Sequence, residues 1–341
     1  MSDSACASSS KVSSRAKRGT CFFLLQGGIA CLSVLFLCTQ ASARRAPQRP
    51  RIIGIAGVTI FVSDIPTARG FYQKVINPGY ACDFCEDVPS RSFFLPTGQR
   101  IELEQVSAPS PSSLLAEVSF RTDDLEKFKK FLKANKVAFK EIKNEGTVRG
   151  YGTLRLVVDD PEGHRISFVA EPGISEPRIK DIQKAQQNGK SAHSQTGYEM
   201  IHTGFVVHDR AAEDKFYKDI LGFRVYWHGG MKDGEDNWVD MQVPDGTDWI
   251  EYMLNVPENA SHKTLGVMNH IALGVPDIHA AQEQLIKNGW KGTEEPKIGR
   301  DGKWQLNLYD PDETRVELME FKPTKEPCCS PYTGPHPGAA Q

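Results

Sequence analysis

His202, Glu251, His270 and Glu317 are the four residues of this chain whose types and spacing could do chemistry together. Two imidazoles and two carboxylates can close around one divalent metal ion and leave coordination positions for water or substrate. An open position is what separates a catalytic metal site from a structural one. A buried carboxylate needs a partner, and a metal ion satisfies two at once. A lone histidine on a strand is ordinarily a core or surface residue, and a strand glutamate ordinarily faces solvent. These four resist that reading because they occupy corresponding positions in a repeat.

Each sits in or beside a short apolar run that reads as a strand: residues 200–207, 249–254, 269–275 and 315–319. Phe61-Val62-Ser63-Asp64, followed by Phe71-Tyr72, recurs as Val206-Val207-His208-Asp209, followed by Phe216-Tyr217. Arg100-Ile101-Glu102-Leu103 recurs as Trp249-Ile250-Glu251-Tyr252, and Asp160-Pro161-Glu162 as Asp310-Pro311-Asp312. A weaker repeat divides each half again, so the chain reads as four modules of strand, helix and three strands. Ala212, Phe216, Ile220 and Leu221 have helical spacing, with Gly222 as the stop. Asp245-Gly246 and Asp301-Gly302 are turn signals between strands.

The pattern resembles the vicinal oxygen chelate superfamily, which includes glyoxalase I, bleomycin-resistance proteins and extradiol dioxygenases. The resemblance covers residues 52–171 and 199–321. Its motifs in the second half are His202-Thr203-Gly204-Phe205, Phe216-Tyr217-Lys218-Asp219-Ile220-Leu221-Gly222-Phe223, His270-Ile271-Ala272-Leu273 and Asp310-Pro311-Asp312-Glu313-Thr314-Arg315-Val316-Glu317. It implies an α+β fold in which four βαβββ modules pair into two open, cup-shaped sheets. It also implies a metal held by His202, Glu251, His270 and Glu317, a complete glyoxalase-like set. The first half departs from it. Gly57 stands in the place of His202, Glu117 of His270 and Ser167 of Glu317, and only Glu102 matches, opposite Glu251. The first half is therefore expected to be a degenerate partner that packs against, gates or shapes the second.

Three functions fit the resemblance. A glyoxalase-like isomerase or lyase would use zinc, nickel or cobalt, with Glu317, or else Glu251, moving a proton on a small oxygen-chelating substrate. Asn255 matches a glutathione-contacting asparagine of that family, but Val206 stands where its glutathione-binding arginine would be. An extradiol dioxygenase would use iron on His202, His270 and Glu317. Glu251 then fills a position that oxygen needs, and Tyr309 directly abuts Asp310 without the histidine of that family's signature. A bleomycin-resistance type of binding protein would need none of the four ligands. His208 and His279 read as surface residues, and His228 as a residue of the cup mouth.

The formal charge is −2, with no basic stripe interleaved with aromatics, which argues against nucleic acid. The expected partner is a small-molecule substrate, with self-association left open. Residues 1–43 read as a signal peptide: Lys11, Arg15, Lys17 and Arg18, an apolar stretch from Cys21 to Cys38, then Ala41-Ser42-Ala43. Export to the periplasm or outside the cell is expected, with an uncleaved membrane anchor as the alternative. Four of the eight cysteines lie in that leader. Cys82, Cys85, Cys328 and Cys329 remain, and the expectation is a structural disulfide or a clip from the tail to Cys82 or Cys85. Residues 172–198 read as a linker, and the Pro- and Gly-rich residues 322–341 as a mobile tail.

Overall fold

Four times the chain lays down a strand, a helix and three more strands, and in each repeat one aspartate starts the helix. The computed structural model describes residues 48–78, 80–81, 91–107, 113–144, 153–170 and 195–338. The expected leader, Cys82, Cys85 and residues 172–194 of the expected linker lie outside the described residues.

The first module holds β1 (Ile52–Val62), α1 (Ile65–Arg69, continued as a π-helical turn over Gly70–Ile76), β2 (Tyr80–Ala81), β3 (Ser92–Phe94) and β4 (Arg100–Gln105). The second holds β5 (Leu115–Thr122), α2 (Leu125–Ala134), β6 (Lys140–Asn144), β7 (Thr153–Asp159) and β8 (Arg165–Val169). The third holds β9 (Glu199–Val206), α3 (Arg210–Glu213, continued as π-helix over Asp214–Ile220), β10 (Arg224–Gly229), β11 (Trp238–Gln242) and β12 (Trp249–Met253). A short helix α4 (His262–Met268) leads to the fourth, with β13 (Ile271–Val275), α5 (Ile278–Lys287), β14 (Lys297–Ile298), β15 (Trp304–Tyr309) and β16 (Arg315–Glu320). Asp64, Asp124, Asp209 and Asp277 each accept a hydrogen bond from a backbone N–H in the first turn of the helix that follows. Such a cap is worth about 1 kcal/mol. It explains why an aspartate ends each apolar run.

The strands form two sheets of eight, ordered β2-β3-β4-β1-β5-β8-β7-β6 and β10-β11-β12-β9-β13-β16-β15-β14. In each, the first strands of the two modules run antiparallel at the centre, and each is flanked by the parallel last strand of its own module. This is the tandem cup architecture the resemblance implies. It lays β12, β9, β13 and β16 side by side, the four strands at which Glu251, His202, His270 and Glu317 stand.

Strict alternation along β9 would place His202 on the face of Met200, which belongs to the main apolar core. A register irregularity between the Ala272–His202 and Leu273–Met200 pairs resets the phase. Ile201 then packs with Trp249 and Ala272 in the inner cluster, and His202 faces into the cup beside them.

The main core runs through both halves, with the Phe120 ring edge-on to Phe223 at 5.5 Å. Polar bonds fix the docking. Gln99 donates to the Met200 carbonyl and accepts from the Met200 N–H, and the Ile55 N–H donates to Asp248. The Tyr72 hydroxyl donates to Asp310 and that of Tyr217 to Asp160, both at 3.0 Å.

The tail differs from its expectation. Thr333 donates to the Val225 carbonyl, the Pro335 carbonyl accepts from Gln242, and His336 bonds the Tyr226 hydroxyl. Residues 332–336 are thus held along the second sheet by these bonds and by the Thr333 N–H, which donates to the Tyr226 carbonyl. Cys328 is bonded to its neighbour Cys329, rather than tethered to Cys82 or Cys85. Among the described residues no helix is long and apolar enough to cross a membrane.

Candidate metal centre

The structure brings His202, Glu251, His270 and Glu317 together inside the second cup. The two imidazole Nε2 atoms face each other at 3.0 Å. Glu251 Oε2 lies 3.3 Å from His270 Nε2 and 4.0 Å from His202 Nε2. Glu317 Oε2 lies 3.7 Å from His270 Nε2 and 3.9 Å from His202 Nε2. Donors about a metal at ~2.1 Å stand roughly 3.0–3.4 Å apart, so His202, Glu251 and His270 are near the spacing such an ion requires, while Glu317 stands farther out at 3.7–3.9 Å from the imidazoles.

The tautomers suit the same purpose. His270 Nδ1 lies 2.8 Å from the Met268 carbonyl, a contact that needs the proton on Nδ1 and leaves Nε2 with its lone pair. His202 Nδ1 is buried without a partner, and the ring is held by the indole of Trp249, 4.8 Å away. Burial holds both imidazoles well below their usual pKa, so both are neutral near pH 7. Burial raises the Glu251 and Glu317 carboxyls to about 7 each. Two neutral imidazoles and two carboxylates are a donor set that fits a divalent metal, with Arg315 as the guanidinium that reaches the same donors.

Several residues of the site were not singled out in the sequence. Arg315 Nη2 lies 2.7 Å from His270 Nε2 and 3.9 Å from Glu317 Oε2, while its Nε is buried without a partner. Its place two residues before Glu317 on β16 was the available signal, since alternate strand residues share a face. Gly204 is a contact requirement: a Cβ there would lie 2.2 Å from the His270 ring. Asp240 pairs in register with Glu251, and burial, with Glu251 beside it, pushes its carboxyl well above the usual range. Lys303 is fully buried, with Nζ lacking a hydrogen-bond partner and 4.4 Å from the ring centre of Trp249. Tyr226 and Tyr332 complete this aromatic cage, which backs the indole on which His202 rests. Nothing in the local sequence marks Lys303 for that position.

Above the cluster lies a cavity of about 270 Å³. Trp227, Met231 and Trp238 give it an apolar wall, and Lys297, Arg300 and Arg315 contribute cations. Asn255 does not line it; its amide donates to the Asp236 carbonyl, which caps a backbone turn at positive φ. Val206 is buried with Met253 and Val256. His228 pairs with Asp236 at 2.7 Å and is likewise not on the cavity wall. His208 and His279 lie outside the cup, the first against Glu162 and the second against the Trp304 ring.

The model of the Glyoxalase/Bleomycin resistance protein/Dioxygenase superfamily matches residues 54–168 and 199–318. The lactoylglutathione lyase of Haemophilus influenzae is 29% identical over 129 residues, which span 37% of this chain and 96% of that protein. A probable chloroplastic lactoylglutathione lyase of Arabidopsis thaliana is 25% identical over 134 residues, 38% of each chain. Among solved structures, homoprotocatechuate 2,3-dioxygenase of Brevibacterium fuscum with 3,4-dihydroxyphenylacetate superposes with a TM-score of 0.58 at 19% identity, covering 84% of this chain and 87% of that one. The Arthrobacter globiformis homoprotocatechuate 2,3-dioxygenase gives 0.54 at 20% identity, covering 80% of each. At such identities the likeness to the dioxygenases is one of fold.

Proposed function

The chain belongs to the Glyoxalase/Bleomycin resistance protein/Dioxygenase superfamily, and from that premise we propose that its second half is a metal-dependent isomerase or lyase of glyoxalase type. The observation that carries this reading is that the two imidazole Nε2 atoms lie 3.0 Å apart, with an oxygen of Glu251 and one of Glu317 each within 3.3–4.0 Å of them. His202, Glu251, His270 and Glu317 would hold zinc, nickel or cobalt. Such an ion, when bound, supplies Lewis-acid stabilisation of negative charge on substrate oxygens.

The protein's own residues do the rest. Glu317 takes and returns the proton on the carbon next to those oxygens. Its distances of 3.7 and 3.9 Å to the imidazoles exceed the 3.3 Å of Glu251 to His270, so it is held less closely and is freer to move. A carboxyl raised to about 7 is well matched to proton transfer near neutrality. Trp227 and Trp238 exclude water from one side of the cavity, while Arg315 faces the substrate oxygens from the other. The substrate is a small molecule with two neighbouring oxygens.

A second reading, extradiol ring cleavage, is favoured by one observation: the fold likeness to dioxygenases runs through both halves and over 84% of this chain. It would use iron on His202, His270 and Glu317. Metal analysis of protein purified without added metal separates the two. Zinc, nickel or cobalt, with proton exchange on an α-hydroxycarbonyl probe, supports the first. Iron with oxygen uptake on a catechol overturns it in favour of the second.

A further inference from the structure

A second group of convergent donors lies outside the cup, where the two halves meet. Asp160 and His164 stand on the turn between β7 and β8, and Glu213 on α3 of the other half. One ring nitrogen of His164 and one carboxylate oxygen each from Asp160 and Glu213 lie within 4.8 Å of one another. The Asp160 side chain is 0% exposed, that of His164 is 18% exposed, and Glu213 is 0% exposed. His164 Nδ1 is 2.8 Å from Asp160 Oδ2, which also accepts from the Tyr217 hydroxyl. Glu213 Oε1 accepts from the Glu162 N–H at 3.0 Å, but its Oε2 has no hydrogen-bond partner. A buried carboxylate oxygen left without a partner carries its full desolvation cost.

The fold does not demand this trio. At the corresponding joint the Asp310 turn has the same backbone bonds, with N–H donors from Asp312 and Thr314 as Asp160 has from Glu162 and His164. Tyr72 replaces Tyr217 in the bond to the aspartate. Thr314 stands in the place of His164, and Ala68 in the place of Glu213, each of the latter two donating its N–H to the helix-capping residue. The joint therefore closes without an imidazole and without a carboxylate in the place of Glu213, its Asp312 accepting from the Ser63 N–H. The extra donors on one side are not needed to close the joint, although the His164 ring also stacks on Phe205 at 4.8 Å.

We propose that Asp160, His164 and Glu213 form a second divalent-cation site, suited to zinc, that clamps the β7–β8 turn of the first half to helix α3 of the second. One imidazole and two carboxylates make a borderline donor set of the kind zinc takes, with water at the fourth position. The ion replaces the proton shared by His164 Nδ1 and Asp160 Oδ2 and engages the unpartnered Oε2 of Glu213. A neutral His164 ring that binds through Nδ1 keeps its proton on Nε2, and a proton held by the imidazolium or by the Glu213 carboxyl passes to solvent when the ion binds. Donors about zinc stand roughly 3.4 Å apart, so His164 Nδ1 and Asp160 Oδ2, now at 2.8 Å, move slightly apart on binding while Glu213 closes on them.

The test is zinc stoichiometry on the full chain, stripped with chelator, dialysed against micromolar zinc and counted by mass spectrometry. The wild type should hold two zinc ions. His164→Thr with Glu213→Ala, which installs the residues of the other joint, should hold one and lose part of the zinc-induced rise in Tm. Glu213→Gln should give the same count if that double variant folds poorly. His270→Ala should also keep one zinc, which separates this site from the cup. Should the cup itself take no metal, the wild type would hold a single zinc that the double variant loses and His270→Ala keeps. A double variant with the wild-type count, or a single zinc that His270→Ala abolishes, would overturn the proposal and leave a proton as the only occupant of the trio.

Discussion

The two cups have the same strand order and differ in what neutralises their carboxylates. In the second, His202, Glu251, His270 and Glu317 face one another, and Glu251 and Glu317 are pushed up to about 7. In the first, Gly57, Glu102, Glu117 and Ser167 hold those positions, and arginines of the same cup pair with both glutamates. Arg155 donates to Glu117 at 2.6 Å, and the Ser167 hydroxyl donates to the same oxygen at 2.6 Å. Arg100 pairs with Glu102 at 3.5 Å and lies across Gly57, where a Cβ would be 2.5 Å from its Cγ. A guanidinium is a cation tied to the chain, and it closes the site it fills. In the second cup the one guanidinium at the cluster, Arg315, lies 2.7 Å from the His270 Nε2 and 3.9 Å from Glu317, so it pairs with neither glutamate as closely as Arg155 pairs with Glu117. The same strand order thus carries two different donor sets, and the four corresponding positions are where the two cups part.

The largest contrast is in metal content. His270→Ala should lower metal affinity by at least 100-fold, since it removes one of two imidazoles. Glu117→Gln, at the matching position of the first cup, should leave metal content unchanged and cost about 1–3 kcal/mol of stability, because Arg155 loses its charged partner. Metal analysis and thermal melts of the two variants check this. Metal lost from Glu117→Gln, or retained by His270→Ala, would break the division between the cups.

Next in size is Glu251→Gln. If Glu251 is a ligand, metal affinity should drop about 10- to 100-fold and proton-transfer activity should go with it. The dioxygenase reading needs only His202, His270 and Glu317, so there the metal content should hold. Glu102→Gln in the first cup should be silent in both measurements.

The module pattern and the four clustered residues were legible in the sequence because their signals are local. Apolar runs mark β9, β12, β13 and β16, an aspartate caps the helix of each module, and like positions recur in each half. What was not legible depends on contacts between distant segments. Thr333 and His336 lie in a stretch of low apolar content, and only β10, more than a hundred residues earlier, supplies their partners. The bond between Cys328 and Cys329 could not be separated from a bridge to Cys82 or Cys85 by spacing. Asn255 matched a family position, yet its amide is spent on the Asp236 carbonyl. The demand for a glycine at 204 comes from the His270 ring, which packs against it from 66 residues away in the chain.

That glycine sharpens the comparison. Gly204 exchanges backbone hydrogen bonds with His270, and Thr59, the matching residue of β1, pairs with Glu117. A threonine fits where a carboxylate stands, but an imaginary Cβ on Gly204 falls 2.2 Å from the imidazole and 2.9 Å from the Met268 carbonyl that orients it. Gly204→Ala should cost about 1–3 kcal/mol in stability and lower metal affinity about 10-fold by displacing the ring. Thr59→Ala should leave metal content untouched. Isothermal titration with zinc on both variants reads the difference.

The smallest effect concerns Arg315 and its counterpart Arg165. Arg165 sits at the same place on β8, is 53% exposed and pairs only loosely with Asp159 at 3.7 Å. Arg315 is 14% exposed and directs Nη2 at the His270 Nε2 lone pair, the same lone pair a metal ion requires. Guanidinium and ion therefore compete for one atom, and a positive charge this close also opposes a dication. Arg315→Met should raise zinc affinity about 3- to 10-fold, while turnover falls because the cation facing the substrate oxygens is gone. Arg165→Met should change neither. Tighter zinc with lower kcat would place Arg315 in the cup as a guard of the free site and a contact of the substrate. Unchanged zinc affinity would mean that Arg315 leaves His270 at no cost, and its role would then be confined to the substrate.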